Sequence, residues 1–163
     1  LVLVKESPAP PLPAHLQVDE PEEVQVDQIS QPQKFPDSIA IQFPVSVSSN
    51  RIKPYFLNGD SKHPVNLWKW SSHPMKALEL NAAGVDQIIL QANSSQNLSS
   101  KASYQYGRYS LVIKRKLNTA DTQNDIQFRS GQNIPIAFNV WNGSAGEIES
   151  QKVISSWFNL RLE

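Results

Sequence analysis

Few side chains in this chain of 163 residues can do more than pack or solvate. It has three histidines (His15, His63 and His73), one methionine (Met75) and no cysteine. A neutral imidazole or a thioether can ligate a transition metal. His63 has the best setting for that, in the polar loop Asp60-Ser61-Lys62-His63-Pro64. Met75 closes Ser71-Ser72-His73-Pro74-Met75 and suits a sheet core equally well. His73 reads as a turn residue, and His15 falls in a proline-rich stretch. The lack of cysteine excludes disulfides, CxxC zinc sites, iron–sulfur ligation, a thiol nucleophile and covalent c-type haem. Hydrolytic chemistry has no support. Asp37 and Asp60 are not spaced as a catalytic pair, no G-x-S-x-G elbow occurs, and Gly143–Gly146 reads as a tight turn rather than a phosphate cradle.

Aromatic and basic residues come next. Trp68 and Trp70 are two apart in a strand-like run and so share one side of a sheet. With Trp141 they are candidates for core packing, for walls against a flat ligand, or for a sugar platform. Arg108, Lys114, Arg115 and Lys116 form a basic stripe. Alternation sends Lys114 and Lys116 to one side and Arg115 to the other, so they cannot serve one site. Such a stripe is ordinarily a solvated face; Arg108, beside Gly107, is better placed to edge a pocket.

The elements that must position these groups are strands. Apolar and polar residues alternate in Ser38–Val47, with Ile39, Ile41, Phe43 and Val45 on one side. Val65–Trp70, Val85–Ala92, Tyr104–Leu117, Ile134–Trp141 and Val153–Leu162 add further strands, separated by Asn/Gly/Ser turns. Met75–Ala83 is the one segment expected to form a short helix. The pattern predicts an all-β, antiparallel β-sandwich over residues 35–163. Eight of the twelve prolines lie in the first 44 residues. Residues 1–34 are accordingly expected to be a proline-rich arm or linker. The chain starts at Leu1 without a signal-peptide pattern, so a processed form or a fragment is expected. Fifteen basic against fifteen acidic residues argue against nucleic-acid binding.

Five stretches carry a family resemblance: Phe35–Phe43 (FPDSIAIQF), Pro54–Trp70 (PYFLNGDSKHPVNLWKW), Gly107-Arg108-Tyr109, Ile113-Lys114-Arg115 and the C-terminal block Gly131–Glu163 (GQNIPIAFNVWNGSAGEIESQKVISSWFNLRLE). Together they resemble the haem-binding γ-subunit domain of ethylbenzene dehydrogenase and related periplasmic molybdenum enzymes. Dimethylsulfide dehydrogenase, selenate reductase and relatives of nitrite oxidoreductase share it. The resemblance covers roughly residues 35–163 and is most specific in the C-terminal block.

It implies an immunoglobulin- or DOMON-like sandwich with one non-covalent haem b, held by a Met and a Lys between the two sheets. Its role would be electron transfer rather than catalysis. The implied partners are iron–sulfur and molybdopterin subunits and a soluble or membrane cytochrome acceptor, on the periplasmic or extracytoplasmic side. The family's lysine matches Lys152. Asn58, in Leu57-Asn58-Gly59-Asp60, stands where the family has its methionine, and an amide is a hard, weak iron donor. His63 or Met75 is then the expected second ligand, with Asn58, Trp68, Trp70, Arg108 and Trp141 around the cofactor. Two other functions stay open: a haem-free docking domain of the same fold, and a carbohydrate-binding module using Trp68 and Trp70.

Overall fold

Period-two alternation builds one large antiparallel sheet. The computed structural model describes residues 35–47 and 52–163; the arm expected at 1–34 lies outside them. Strands β1 (Ser38–Pro44), β2 (Val65–Ser71), β3 (Lys76–Ala82), β4 (Ile88–Leu90), β5 (Ser99–Gln105), β6 (Arg108–Lys114), β7 (Asn133–Trp141), β8 (Val153–Ile154) and β9 (Phe158–Arg161) follow in order. The main sheet runs β4-β3-β2-β1-β7-β8, with β9 also pairing β7, while β5 and β6 form a separate hairpin. All described pairings are antiparallel, and the all-β expectation holds.

Three segments differ from the expected elements. Met75–Ala83 is not a helix: Lys76–Ala82 pairs with β2 along seven residues. Its Ala, Leu and Glu content favours helix, but tertiary pairing overrides so weak a local preference. Tyr104–Leu117 is not one strand. It breaks at Tyr106 (φ 52°) and Gly107 (φ 77°), a left-handed pair that closes a two-residue hairpin. Val153–Leu162 divides into β8 and β9, both paired with β7.

The register sorts the side chains into two faces. On one, here the inner face, Ile39 stands beside Trp70 and Val140, and Ile41 beside Trp68 and Phe138. On the other, the outer face, Ala40 stands beside Lys69 and Asn139, and Ser38 beside Ser71 and Trp141. The hairpin and the segment after it cover the inner face. Phe43, Trp68, Ile126, Phe128 and Ile134 form its core, with Leu98 and Ile113 packed against them. Edge-to-face contacts join Trp68 to Phe43 (5.0 Å) and Phe128 (5.7 Å). Truncating Trp68 to alanine should therefore destabilise the domain by about 3–5 kcal/mol, seen as a lower urea midpoint.

Arg115 is buried in the same space rather than solvated. Its guanidinium pairs with Glu79 (2.7 Å) and approaches Asp125 (3.8 Å), every side chain in this group being fully buried. It also lies over the rings of Trp68 and Phe128 and donates to the Ile126 carbonyl. Gln91 and Thr119 donate to Asp125, and the Asn97 amide donates to Glu79. A buried charge is tolerated when it is paired and hydrogen-bonded in this way.

Candidate functional site at Lys152

Segment 54–64 lies over the outer face. Gln42 donates its amide to the Phe56 carbonyl (3.2 Å), and Trp157 donates to the Pro54 carbonyl (3.0 Å). Trp157 also packs on the small outer cluster of Val65, Leu67 and Ala82. The turn is tightly pinned. Asn58 N donates to the Phe56 carbonyl, Gly59 N to the Tyr55 carbonyl and Gly84 N to the Asn58 carbonyl, at 2.8–3.1 Å. Asn58 has φ 63°, a left-handed conformation that asparagine tolerates better than most residues, and is 1% exposed.

Lys152 reaches into this turn from the loop before β8. Its Nζ donates to Asn58 Oδ1 at 2.9 Å and lies 5.0 Å from the centre of the Trp141 ring. Lys69 stands over the same ring at 4.5 Å. Among the described residues neither lysine has a carboxylate within ion-pairing distance. Burial, with the neighbouring Lys69 charge, pushes the Lys152 amine down to about 8. Lys69 is lowered too, by burial, with Glu149 opposing.

These shifts carry a sign for stability. Unfolded, Lys152 titrates near the ordinary 10.5; folded, near 8. Between those values the unfolded chain holds more protons, so stability rises with pH across that window. The haem-free protein should show a rising urea midpoint from pH 8 to pH 10, and Lys152→Met should flatten the rise.

Beside this pair the outer face holds a cleft of about 520 Å³. Its floor is apolar (Leu78, Leu80 and Leu90), Trp141 forms a wall, and Lys69 and Lys76 are balanced by Glu147 and Glu149 on the same rim. An apolar floor with an aromatic wall suits a flat, largely apolar ligand.

The other expected site residues are not gathered here. Trp68 and Trp70 are on the inner face, the reverse of the sheet from Trp141 and Lys69. Both are buried, and Trp70 packs edge-on to Tyr109, so neither offers an exposed ring to a sugar. Arg108 is exposed at the hairpin turn over that face. His63 turns its Nδ1 onto Asp60 Oδ1 (3.2 Å), and Met75 is about half exposed in the β2–β3 turn. The Phe43–Trp68–Phe128 core fills part of the space between sheet and hairpin; toward the hairpin turn a cavity of about 390 Å³ remains, lined by Ile39, Trp70, Tyr104, Tyr109, Leu111 and Val140. Of the expected residues, Lys152, Asn58 and Trp141 come together, and they do so on the outer face. Lys69 is the member that sequence reasoning missed; its parity with Ala40 and Trp141 becomes visible only through strand register.

Comparison with known proteins bears on the same region. Over residues 77–153 the chain matches the family model described as ethylbenzene dehydrogenase. The resemblance read from the sequence therefore holds, and Lys152 lies inside the matched stretch. A protein of Haloferax mediterranei named as a respiratory nitrate reductase heme subunit is 34% identical over 131 residues, covering 80% of this chain and 45% of that relative. The dimethylsulfide dehydrogenase subunit gamma of Rhodovulum sulfidophilum is 27% identical over 137 residues, covering 79% and 49%. The chain thus spans less than half the length of each of these relatives.

Proposed function

We propose that residues 35–163 form a haem b-binding electron-transfer domain, a subunit or part of a larger molybdenum oxidoreductase, with residues 1–34 as its arm. The observation that carries this reading is the Lys152 amine: half-buried, free of any carboxylate partner among the described residues and lowered by burial to about 8, beside Trp141 and an amphipathic cleft. Its placement within a match to a family whose relatives are named heme and gamma subunits adds to that.

The chemistry of the Lys152 amine fits a haem, and binding one would require that amine to part from Asn58, which it meets at 2.9 Å, and to turn toward the neighbouring cleft. A neutral amine is a competent iron ligand, and burial has already removed much of the cost of neutralising it. Lys152 would hold the iron and Trp141 would flank the macrocycle. Leu78 and Leu80 would keep water from the ring. Haem supplies a reversible one-electron couple; the chain's part is to bind, orient and desolvate it.

The partners would be iron–sulfur and molybdopterin subunits with a cytochrome acceptor, at the periplasmic or extracytoplasmic face. Edge strand β4 supports docking, since Ile88 and Ile89 are exposed there. Among the described residues no helix is long and apolar enough to cross a membrane.

A second reading, a docking domain without haem, draws on one specific observation: Lys152 and Asn58 touch directly. Titration of the purified chain with haemin separates the two. The haem reading expects one equivalent taken up per chain by pyridine haemochrome assay, with a Soret band that responds to dithionite. No uptake, together with no haem in the native complex, would leave the docking domain.

A further inference from the structure

We propose that the inner-face cavity beside the hairpin turn binds a trimethylammonium group, as an aromatic cage with one carboxylate at its rim. This site is independent of the haem reading, which concerns the other face of the sheet.

Strand register brings the walls together. Tyr104 of β5 stands directly opposite Tyr109 of β6, and Ala102 opposite Leu111. Paired residues of an antiparallel hairpin project to the same side, and every second residue shares it. Ile113 has this parity and packs against the inner core, so Tyr104 and Tyr109 also face the sheet. Across from them lie Ile39, Trp70 and Val140, neighbours in register on the inner face. Between the two layers is the cavity of about 390 Å³. Small-molecule sites run from roughly 300 to 1,000 Å³, so its size suits a small ligand.

The rings are set at angles to one another rather than stacked flat. Tyr104 and Tyr109 have centroids 4.6 Å apart and planes inclined by 45°, while Trp70 meets Tyr109 at 5.2 Å and 63°. Trp70 is 2% exposed and forms the base. Tyr104 is 59% exposed and Tyr109 39%, although both point inward. Inward tyrosines that stay accessible present their π-systems to open space, and such rings attract an organic cation through their quadrupoles.

The charges point the same way. Asp37 is the one charged residue lining the cavity. Its Oδ1 accepts from the Gly143 amide (2.9 Å) and its Oδ2 from the Tyr109 hydroxyl (3.3 Å), which fixes the carboxylate beside the ring. Among the described residues Asp37 has no ion-pair partner, and no Lys or Arg lies over Trp70, Tyr104 or Tyr109. Lys101 and Arg108 have the opposite parity to the two tyrosines and project away from the sheet. Lys69 stands on the other face. A carboxylate without a cation of its own, next to unclaimed rings, favours a positive ligand over a neutral one of the same shape. A trimethylammonium group meets each part of this lining. Its methyl groups suit Ile39, Leu111 and Val140, its diffuse charge suits the rings and Asp37, and it brings no N–H that burial would leave unpaired.

The test titrates the full chain, by calorimetry, with choline and with its neutral carbon isostere 3,3-dimethylbutan-1-ol. Choline should bind one to one, and the isostere at least about tenfold more weakly. Tyr104→Ala changes an exposed side chain outside both apolar clusters and should weaken choline by about three- to thirtyfold. Tyr104→Phe keeps the ring and should stay within about twofold of wild type. Asp37→Asn should weaken choline and leave the isostere unchanged. Phosphatidylcholine vesicles separate two sources of the group: co-sedimentation that choline reverses assigns the cavity to a lipid headgroup, and its absence assigns it to a free solute. No choline binding at millimolar concentration, equal affinity for the isostere, or unchanged choline affinity in folded Tyr104→Ala or Asp37→Asn would overturn the inference. None of these outcomes touches the haem reading, which stands or falls on haemin uptake.

Discussion

Replacing Lys152 by alanine should weaken haem binding by at least about 100-fold. Loss of groups that merely orient a metal ligand already costs 10–100-fold, and here the strong ligand itself is removed. The fold should survive. Lys152 lies in a loop between Trp141 and β8, outside both apolar clusters. The local cost is Asn58 Oδ1 losing its donor, about 1–3 kcal/mol. Lys152→Arg is the sharper variant. A guanidinium can keep the hydrogen bond to Asn58, but it does not give up its proton and so cannot ligate iron. The iron-ligand role expects both variants to lose haem, measured by haemin titration, whereas a role confined to bracing the Asn58 turn expects arginine to rescue. Lys69→Ala is the control. It removes the other amine over Trp141 without touching Asn58, and should lower affinity far less than either Lys152 variant.

The strands that carry this site were largely readable because alternation is a local property. Ile39, Ile41 and Phe43 announce one side of β1, and Trp68 and Trp70 must share a side of β2. Which side faces Lys152 is a different question. It depends on the register of β1 against β2 and β7, and on where segment 54–64 lies, neither of which is written in local periodicity. Local pattern therefore groups Trp68 and Trp70 with Lys152, although the sheet separates them. Arg115 shows the same boundary. Strand parity separated it correctly from Lys114 and Lys116, but Glu79 and Asp125, which make it a buried charge, come from other parts of the chain. Asn58 is the opposite case. Its interest comes from the family resemblance, which implies a methionine at that place, and the structure adds what it faces.

Arg115→Met should destabilise the domain by about 3–5 kcal/mol, because Glu79 and Asp125 would be left buried without their cation. Urea unfolding checks this. Lys114→Ala, an exposed change one residue away, should stay within about 0.5 kcal/mol of wild type. Most of the loss should come from the stranded carboxylates rather than from the missing contacts of the arginine. Arg115→Met combined with Glu79→Gln should therefore be more stable than Arg115→Met alone, a non-additivity expected of residues in one network. The same variants separate the two faces of the sheet. Glu79 and Arg115 work on the inner face, while Leu78, Leu80 and Lys69 line the outer cleft. The fraction of Arg115→Met protein that remains folded should accordingly bind haemin with wild-type affinity. A fall in affinity exceeding the fall in folded population would mean that the inner charge cluster shapes the outer cleft directly, and that the two sides of β3 are not independent.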